Sequence, residues 1–394
     1  MSTRTDERAR RALNANRKAD SVPKPIGSEG VVFAVFIPSE KSAREALPVV
    51  QGDWDAAGVA HALTDRSARR IRYLRVSVTD RCNYACAYCM PENGFPRFDR
   101  ADVMRFEEAE RLVGLMVDLG VRRVRLTGGE PLVRRGIVDL VRRIAALPGA
   151  PEVVMTTNGH LLEQHAGALK EAGLMSLNVS MDSTSPETFR RLTRGGDLGA
   201  VLRGLAAARA AGFRQVRVNA VVVRGENDDD LAELCRWAWT EGLEPRFIEL
   251  MPIGQLATAR ERPVVTTEEM RARLNLDFGL EPDASAEAHL VRGPAQYWRV
   301  TRGEFAGARV GFISPMSDDG FCGTCNRARL TAQGALRACL GHDDEVSLLQ
   351  ALRAGATREA LISLVGQAVH GKRPGHEMRD FRTAPRNVMT SLGG

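Results

Sequence analysis

Apolar, β-branched stretches alternate with amphipathic stretches from residue 71 to residue 250. The apolar stretches predict strands at residues 74–78, 121–126, 153–155, 176–179, 215–223 and 246–250. Helices are predicted between them at residues 107–119, 133–147, 161–172, 187–192 with 199–211, and 229–241. Six β–α steps with short connections are typical of a parallel sheet or an open barrel. The predicted fold class is therefore α/β.

Polar or glycine-rich motifs stand at the ends of five of these strands. RCNYACAYCMP follows the first strand, TGGEP the second, TTNG the third and SMDS the fourth, and IELMPIG ends the sixth. In parallel α/β folds, ligands bind at the carboxyl ends of the strands. Packing alone does not account for five such motifs at one edge of a sheet, so the sequence predicts a ligand site there.

The first motif contains three cysteines with the spacing C-x3-C-x2-C. They are Cys82, Cys86 and Cys89. On a helix this spacing would give a buried stripe, but Pro91 and Gly94 interrupt the segment and favour a loop around a metal. A zinc site would need a fourth ligand, and the next histidine along the chain is His160. Three thiolates suit a 4Fe–4S cluster whose fourth iron is open to a small molecule.

A second group of three cysteines has the spacing C-x2-C-x13-C. They are Cys322, Cys325 and Cys339. This trio is also one thiolate short of filling a four-iron cluster, and the two trios use six of the seven cysteines. The N-terminal residues are polar and show no export signal, so grouped cysteines favour metal sites in a reducing compartment over disulfides. The expected location is the cytoplasm.

Charge is a weaker guide to the ligand. The net charge is +6, which would suit a polyanion, but only five of the 55 basic residues are lysine. Arginine is therefore common throughout the chain, and only arginines inside motifs are treated as candidate ligand-binding residues. No apolar run near the N-terminus is long enough to span a bilayer. Neither a membrane nor a nucleic acid is an expected partner.

Three regions are predicted from the change of pattern along the chain. Residues 1–64 form an N-terminal extension that is partly disordered and has no functional interpretation. Residues 65–262 contain the β–α alternation, and residues 263–394 contain a capped helix, further strands, the second trio and a Gly-Gly terminus.

The first trio resembles the shared motif of the radical S-adenosylmethionine superfamily, which has an aromatic residue before the third cysteine. Tyr88 stands at that position, and residues 128–131 match the GGEP motif. The resemblance implies a partial (β/α)6, TIM-like barrel. It also implies that the open iron binds S-adenosylmethionine, which is cleaved to a 5′-deoxyadenosyl radical.

The second trio, followed by NRAR, and the Gly-Gly terminus resemble the GTP 3′,8-cyclase family from about residue 63 to residue 394. The resemblance implies a lyase that makes (8S)-3′,8-cyclo-7,8-dihydroguanosine 5′-triphosphate in the first step of molybdopterin biosynthesis. Hydrogen would be abstracted from C3′ of GTP, and C3′ would then bond to C8 of guanine. The implied cofactors are two 4Fe–4S clusters and S-adenosylmethionine.

Residues are carried over from the family one by one. The implied cluster ligands are the two cysteine trios. The implied S-adenosylmethionine contacts are Tyr88, Gly129, Ser180 and Met251. The implied GTP contacts are Arg75, Arg125, Thr156, Arg217, Arg327 and Arg329. A catalytic role is implied for Arg327, Arg329, Gly393 and Gly394. Arg217 departs from the family, which commonly has lysine at that position.

The implied partners are GTP, a flavodoxin- or ferredoxin-like electron donor, and the next enzyme, cyclic pyranopterin monophosphate synthase; the chain would be a monomer or a homodimer. Two alternatives remain open. One is another radical S-adenosylmethionine enzyme with an auxiliary cluster, such as a peptide-modifying one. The other is a regulatory protein that binds zinc or an iron–sulfur cluster, but this alternative leaves the GGEP motif and the other strand-end motifs unexplained.

Overall fold

A computed structural model describes residues 61–91, 94, 97–253, 264–283, 293–378 and 389. The predicted β–α alternation is present. Its strands are β1 (Tyr73–Ser77), β2 (Arg123–Thr127), β3 (Glu152–Thr157), β4 (Ser176–Ser180), β5 (Val216–Val222) and β6 (Glu244–Glu249). Its helices are α1 (Phe106–Asp118), α2 (Ile137–Ala145), α3 (Leu162–Glu171), α4 (Pro186–Thr193), α5 (Leu198–Ala210) and α6 (Leu231–Thr240).

The C-terminal region adds strands to both edges of the same sheet. Its elements are α7 (Thr267–Phe278), β7 (Leu280–Pro282), β8 (Gln296–Val300), β9 (Arg309–Ile313), β10 (Arg327–Leu330), β11 (Ala335–Arg337), β12 (Val346–Ser347), α8 (Leu348–Arg353) and α9 (Arg358–His370). The strand order is β12-β11-β10-β1-β2-β3-β4-β5-β6-β9-β8-β7. Strands β10, β1–β6 and β9 are parallel, and the sheet does not close. The predicted α/β fold with an open barrel is confirmed.

Alternation along the strands separates the core from the site. In β5 the valines at 216, 218 and 222 are buried, while Arg217, Asn219 and Val221 line a cavity. Successive side chains of a strand point to opposite faces, so one face packs on the helices and the other faces the cavity. Helix ends follow the local sequence: Thr266 and Glu269 form a capping box at α7.

Several sequence predictions need correction. The sequence predicts a helix around residues 346–352, but Val346 and Ser347 form β12 and the helix begins at Leu348. The helix expected from residue 133 begins at Ile137, after a 3-10 turn at Pro131–Val133. Strands β7, β10, β11 and β12 were not predicted, because each has at most four residues.

Residues 1–60 of the predicted N-terminal extension lie outside the described residues. Ala62 and Leu63 are buried in the main apolar core. The predicted domain boundaries at 64 and 262 stay a prediction. In the described part of the chain, no helix is long and apolar enough to cross a membrane.

Candidate active site

A cavity of about 630 Å³ opens at the carboxyl ends of the parallel strands and is lined by both cysteine trios. It brings together the sequence-predicted site residues of the described chain. Besides the cysteines they are Tyr88, Gly129, Ser180, Met251, Arg75, Arg125, Thr156, Arg217, Arg327 and Arg329. Gly393 and Gly394 lie outside the described residues. The strand-end motifs thus meet at one site, as their positions in the sequence predict.

The first trio lies on a loop after β1 that is fixed by backbone hydrogen bonds. The N–H groups of Cys89 and Met90 both donate to the carbonyl oxygen of Cys86, each at 2.9 Å. The N–H of Tyr84 donates to Cys82 Sγ at 3.4 Å. Burial raises the pKa of Cys82 to about 11 and that of Cys89 to about 12. These thiols therefore need a positive partner, such as a metal, to ionise at neutral pH.

The GGEP motif braces this loop. The N–H of Gly129 donates to the carbonyl oxygen of Thr79 at 2.7 Å, and the N–H of Glu130 to that of Arg81 at 2.8 Å. A Cβ on Gly129 would lie 2.2 Å from the Arg81 carbonyl oxygen. The glycine is therefore needed for close packing against the segment that leads into Cys82, whatever it also does for a ligand.

Glu130 connects the second and third strand ends. Its carboxylate accepts hydrogen bonds from Leu132 N at 2.9 Å, Thr157 Oγ1 at 2.7 Å and Asn158 N at 2.6 Å. Burial raises the pKa of Glu130 to about 7, although these hydrogen bonds act in the opposite direction. The acid of GGEP thus fixes the TTNG turn beside the first trio.

Asp182 is a cavity residue that the sequence reasoning did not single out. Its Oδ2 accepts a hydrogen bond from the hydroxyl of Tyr88 at 2.7 Å, and its Oδ1 accepts from Val221 N at 2.9 Å. Burial raises the pKa of Asp182 to about 6, against the effect of both hydrogen bonds. The sequence signal that could have identified Asp182 is its place in the SMDS motif at the end of β4. Its hydrogen bond positions the ring of Tyr88.

The second trio lies next to a concentration of positive charge. Burial acts to raise the pKa of Cys325, but Arg327 and Lys372 outweigh it and lower that pKa to about 6. Burial raises the pKa of Cys322. Lys372 lines the cavity, and no motif in the sequence marks it as a site residue.

Three arginines form a row across neighbouring strands. Arg75 of β1 is paired with Arg329 of β10 on one side and with Arg125 of β2 on the other. Burial, and after it the charge of Arg329, hold the pKa of Arg75 well below its usual range. Burial and the charge of Arg327 lower the pKa of Arg329 to about 10. Neighbouring guanidinium groups that line one cavity suit an anionic ligand.

Arg125 is held in place by its neighbours in the barrel. It donates to the carbonyl oxygen of Met155 and to Thr156 Oγ1, each at 3.0 Å, and also to the hydroxyl of Tyr73. Thr156 and Arg125, both predicted GTP contacts, are therefore directly hydrogen-bonded to each other. The pair presents one hydroxyl and one guanidinium to the same part of the cavity.

Arg217, the departure from the family pattern, belongs to a charged cluster on β5, β6 and β8. Its Nε donates to Glu244 Oε1 at 2.8 Å, and the hydroxyl of Tyr297 donates to the same oxygen at 2.8 Å. Arg246 contacts both Glu244 and Tyr297. Although burial opposes it, Glu244 raises the pKa of Arg217. Arg246, Glu244 and Tyr297 line the cavity but were missed, because no motif marks them.

Each trio supplies the three thiolates that a four-iron cluster with one open iron requires. Within the described residues, no three cysteine, histidine or acidic side chains converge tightly enough to hold a single ion. The thiols of each trio nevertheless influence one another: after burial and Asp182, the charges of Cys89 and Cys82 raise the pKa of Cys86. The three thiols of the first trio therefore lie close enough to act together as cluster ligands.

Residues 76–238 match the Radical SAM superfamily, and residues 243–378 match the family described as Molybdenum Cofactor Synthesis C. The GTP 3′,8-cyclase of Moorella thermoacetica is 43% identical over 332 residues, which cover 84% of this chain and 100% of that protein. The chain belongs to the GTP 3′,8-cyclase family. The GTP 3′,8-cyclase of Heliobacterium modesticaldum is 45% identical over 338 residues, which cover 84% of this chain and 100% of that protein. GTP 3′,8-cyclase 1 of Pseudomonas aeruginosa is 45% identical over 315 residues, which cover 79% of this chain and 93% of that protein.

Membership of the GTP 3′,8-cyclase family confirms the predicted enzyme class and cofactors. The protein is a radical S-adenosylmethionine enzyme, so it uses a 4Fe–4S cluster with S-adenosylmethionine. The Molybdenum Cofactor Synthesis C match covers the second trio and fits a second cluster there. The roles of individual residues are not tested by these likenesses and stay predictions.

Proposed function

We propose that this chain cyclises GTP to (8S)-3′,8-cyclo-7,8-dihydroguanosine 5′-triphosphate, the first step of molybdenum cofactor biosynthesis. The observation that carries the proposal is that both cysteine trios and the arginine row line the same cavity. A radical made beside the first trio can then act on a nucleotide held beside the second. Family membership supports the same activity.

The proposed cluster ligands are the six cysteines of the two trios. Tyr88, Gly129, Ser180 and Met251 line the same cavity and would hold S-adenosylmethionine. When bound, the first cluster and S-adenosylmethionine supply a 5′-deoxyadenosyl radical. The protein contributes position, because Glu130 and Asp182 fix the surrounding turn and the ring of Tyr88.

The proposed GTP contacts divide by chemistry. Arg75, Arg125 and Arg329 offer guanidinium groups that suit phosphate oxygens, which they can bind with two hydrogen bonds each. Thr156 adds a hydroxyl, and Arg217 adds a further charge that is shared with Glu244. Arg327, next to the second trio, would act with Arg329 in catalysis. A catalytic part for the terminal Gly393 and Gly394 stays a prediction.

An apolar wall would protect a radical in the cavity from water. Ile253, Met316 and Met378 form a small buried cluster, against which Met251 and Leu340 pack. Four of these five side chains line the cavity, namely Met251, Ile253, Met378 and Leu340. Closing a site with apolar side chains limits side reactions of a reactive intermediate.

The partners proposed beyond GTP follow from the family. The first cluster would be reduced by a flavodoxin- or ferredoxin-like donor, and the product would pass to cyclic pyranopterin monophosphate synthase. The enzyme would work in the cytoplasm, where the unpaired thiols of both trios stay reduced.

The test is anaerobic incubation of the reconstituted protein with GTP, S-adenosylmethionine and a reductant, with products identified by mass. We expect 5′-deoxyadenosine and the cyclised triphosphate in equal amounts. Cys86→Ala should stop formation of both, and Cys325→Ala should stop cyclisation. Cys235→Ala is the matched control, because Cys235 is buried in α6 away from the cavity lining. Cleavage of S-adenosylmethionine without any change in GTP would contradict the proposed substrate.

A further inference from the structure

Residues 372–378, here called the strap, lie against the second trio and lead into the C-terminal residues. Lys372 Nζ donates to the backbone carbonyl oxygen of Arg327 at 3.0 Å and also to that of Ala338. Arg327 lies two residues after the second cysteine of the trio, and Ala338 lies one residue before the third. The first side chain of the strap therefore joins two parts of the trio that are distant in sequence.

Two histidines fasten the strap further along. His342 Nε2 donates to the carbonyl oxygen of Gly375 at 2.8 Å, and His376 Nε2 donates to that of Pro315 at 2.7 Å. A Cβ on Gly341 would lie 2.6 Å from the Cβ of His376. The strap thus packs directly on the chain that follows the third cysteine.

Arg69, which precedes β1, ties the strap to the trio. Its side chain is 7% exposed. Nη1 donates to the carbonyl oxygens of Cys322 at 2.7 Å and Pro374 at 2.9 Å, and Nη2 donates to that of Arg373 at 2.7 Å. One guanidinium therefore connects the first cysteine of the trio with two consecutive residues of the strap.

Asp65 fixes the orientation of the Arg69 guanidinium. Its Oδ2 accepts a hydrogen bond from Arg69 Nε at 2.6 Å. Its Oδ1 accepts from the backbone N–H groups of Ser67 at 2.8 Å and Arg69 at 3.0 Å, within a turn that places Ala68 at φ 58°. The same carboxylate thus shapes the turn and fixes the direction of the arginine side chain.

We propose that Arg69, held by Asp65, is a positioning residue that sets the geometry of the second trio and of the strap. The proposal rests on the proposed function in that the second trio binds a cluster. Arg69 touches backbone carbonyls and not a reacting atom, so it acts through the cysteine loop. The segment before β1, which contains Asp65 and Arg69, then helps to hold the ligands of the second cluster in place.

Arginine suits this position because its planar group presents donors in fixed directions. Four of its hydrogen bonds go to four different residues, namely Asp65, Cys322, Arg373 and Pro374. Lysine has a single nitrogen and cannot span these acceptors. Arg69→Lys therefore keeps the positive charge and removes the geometry.

The test uses the full chain with the first trio replaced by alanine, so that iron reports on the second trio alone. In this background we expect Arg69→Lys and Arg69→Met to lose most of the roughly four irons per chain. Any iron retained should give a shifted electron paramagnetic resonance signal after reduction. In the chain with both trios, amide hydrogen exchange in residues 372–378 should accelerate.

Arg353→Met is the matched control, because Arg353 also contacts a carboxylate, Glu108, and a backbone carbonyl, that of Ala101. Circular dichroism checks folding, and Arg69→Lys decides the matter where Arg69→Met does not fold. Parental iron content, resonance signal and strap exchange in a folded Arg69→Lys protein would overturn the proposal. These readouts do not depend on GTP turnover, so failure of the proposed substrate would leave them decisive.

Discussion

Arg75 of β1 and Arg329 of β10 are register partners on neighbouring parallel strands, although they are far apart in the sequence. Both line the cavity, and both have a lowered pKa because burial and neighbouring arginine charges disfavour their charged forms. Two half-buried guanidinium groups that line one cavity side by side suit the oxygens of a polyanion. Their pairing therefore marks the part of the cavity where phosphate oxygens are expected.

Replacing Arg329 with glutamine should weaken binding of inorganic triphosphate. Loss of a charge-assisted contact of about 1.5–3 kcal/mol corresponds to a roughly 10- to 150-fold increase in Kd. Isothermal titration calorimetry of the reconstituted protein measures this Kd for inorganic triphosphate. Arg203→Gln is the control, since Arg203 is an exposed residue of α5. Equal affinities of the three proteins would show that the arginine row does not hold phosphate.

Much of the barrel follows from the sequence because its signals are local. Strand β5 alternates in the period-2 pattern that separates core from cavity, and Ser185 with Pro186 marks the start of α4. The motifs at the strand ends follow from the topology of parallel sheets. The two cysteine trios could also be located in the sequence, because the spacing of their cysteines is a local signal.

The rest depends on contacts between distant parts of the chain. Strand β10 has four residues with two arginines, and its place beside β1 is set by long-range pairing, as between the N–H of Arg72 and the carbonyl of Asn326. Glu244 and Tyr297 come together only when β8 joins the sheet. No spacing in the sequence predicts such long-range contacts, so Glu244 and Tyr297 were not predicted as cavity residues.

Gly129→Ala should disrupt the first trio. The added Cβ would lie 2.2 Å from the carbonyl oxygen of Arg81, so the backbone before Cys82 must move. Overpacking of this kind costs about 1–3 kcal/mol. We expect a lower Tm and loss of iron in a protein whose second trio is replaced by alanine.

Gly167→Ala is the matched control for this substitution. Gly167 lies in α3 with nothing within 4 Å of an added Cβ, so alanine should leave the iron content unchanged and raise helix stability slightly. Full iron content in the Gly129→Ala protein would show that this glycine is not required for the loop.

Glu108 should make stability depend on acid pH. Its hydrogen bond with Arg353 is the main cause that lowers the pKa of Glu108 from 4.5 to about 2. A lowered folded-state pKa contributes stability above the unfolded value, and that contribution is lost as pH falls from about 4.5 towards about 2. Glu108→Gln should therefore cost about 1–2 kcal/mol at neutral pH, and the difference should shrink in acid.

Urea denaturation of both proteins across this pH range measures the effect. Asp139→Asn is the control, because the ion pair of Asp139 with Arg142 is exposed and contributes little. A difference between the parent and Glu108→Gln that stays constant down to acid pH would refute the assigned ion pair.

In the proposed reaction, a radical formed at the first trio acts on GTP held in the same cavity. The most direct measurement is mass spectrometry of 5′-deoxyadenosine after turnover with GTP that carries deuterium at C3′. We expect deuterium from C3′ to appear in 5′-deoxyadenosine while GTP is cyclised. Unlabelled 5′-deoxyadenosine, formed together with the cyclised product, would contradict it.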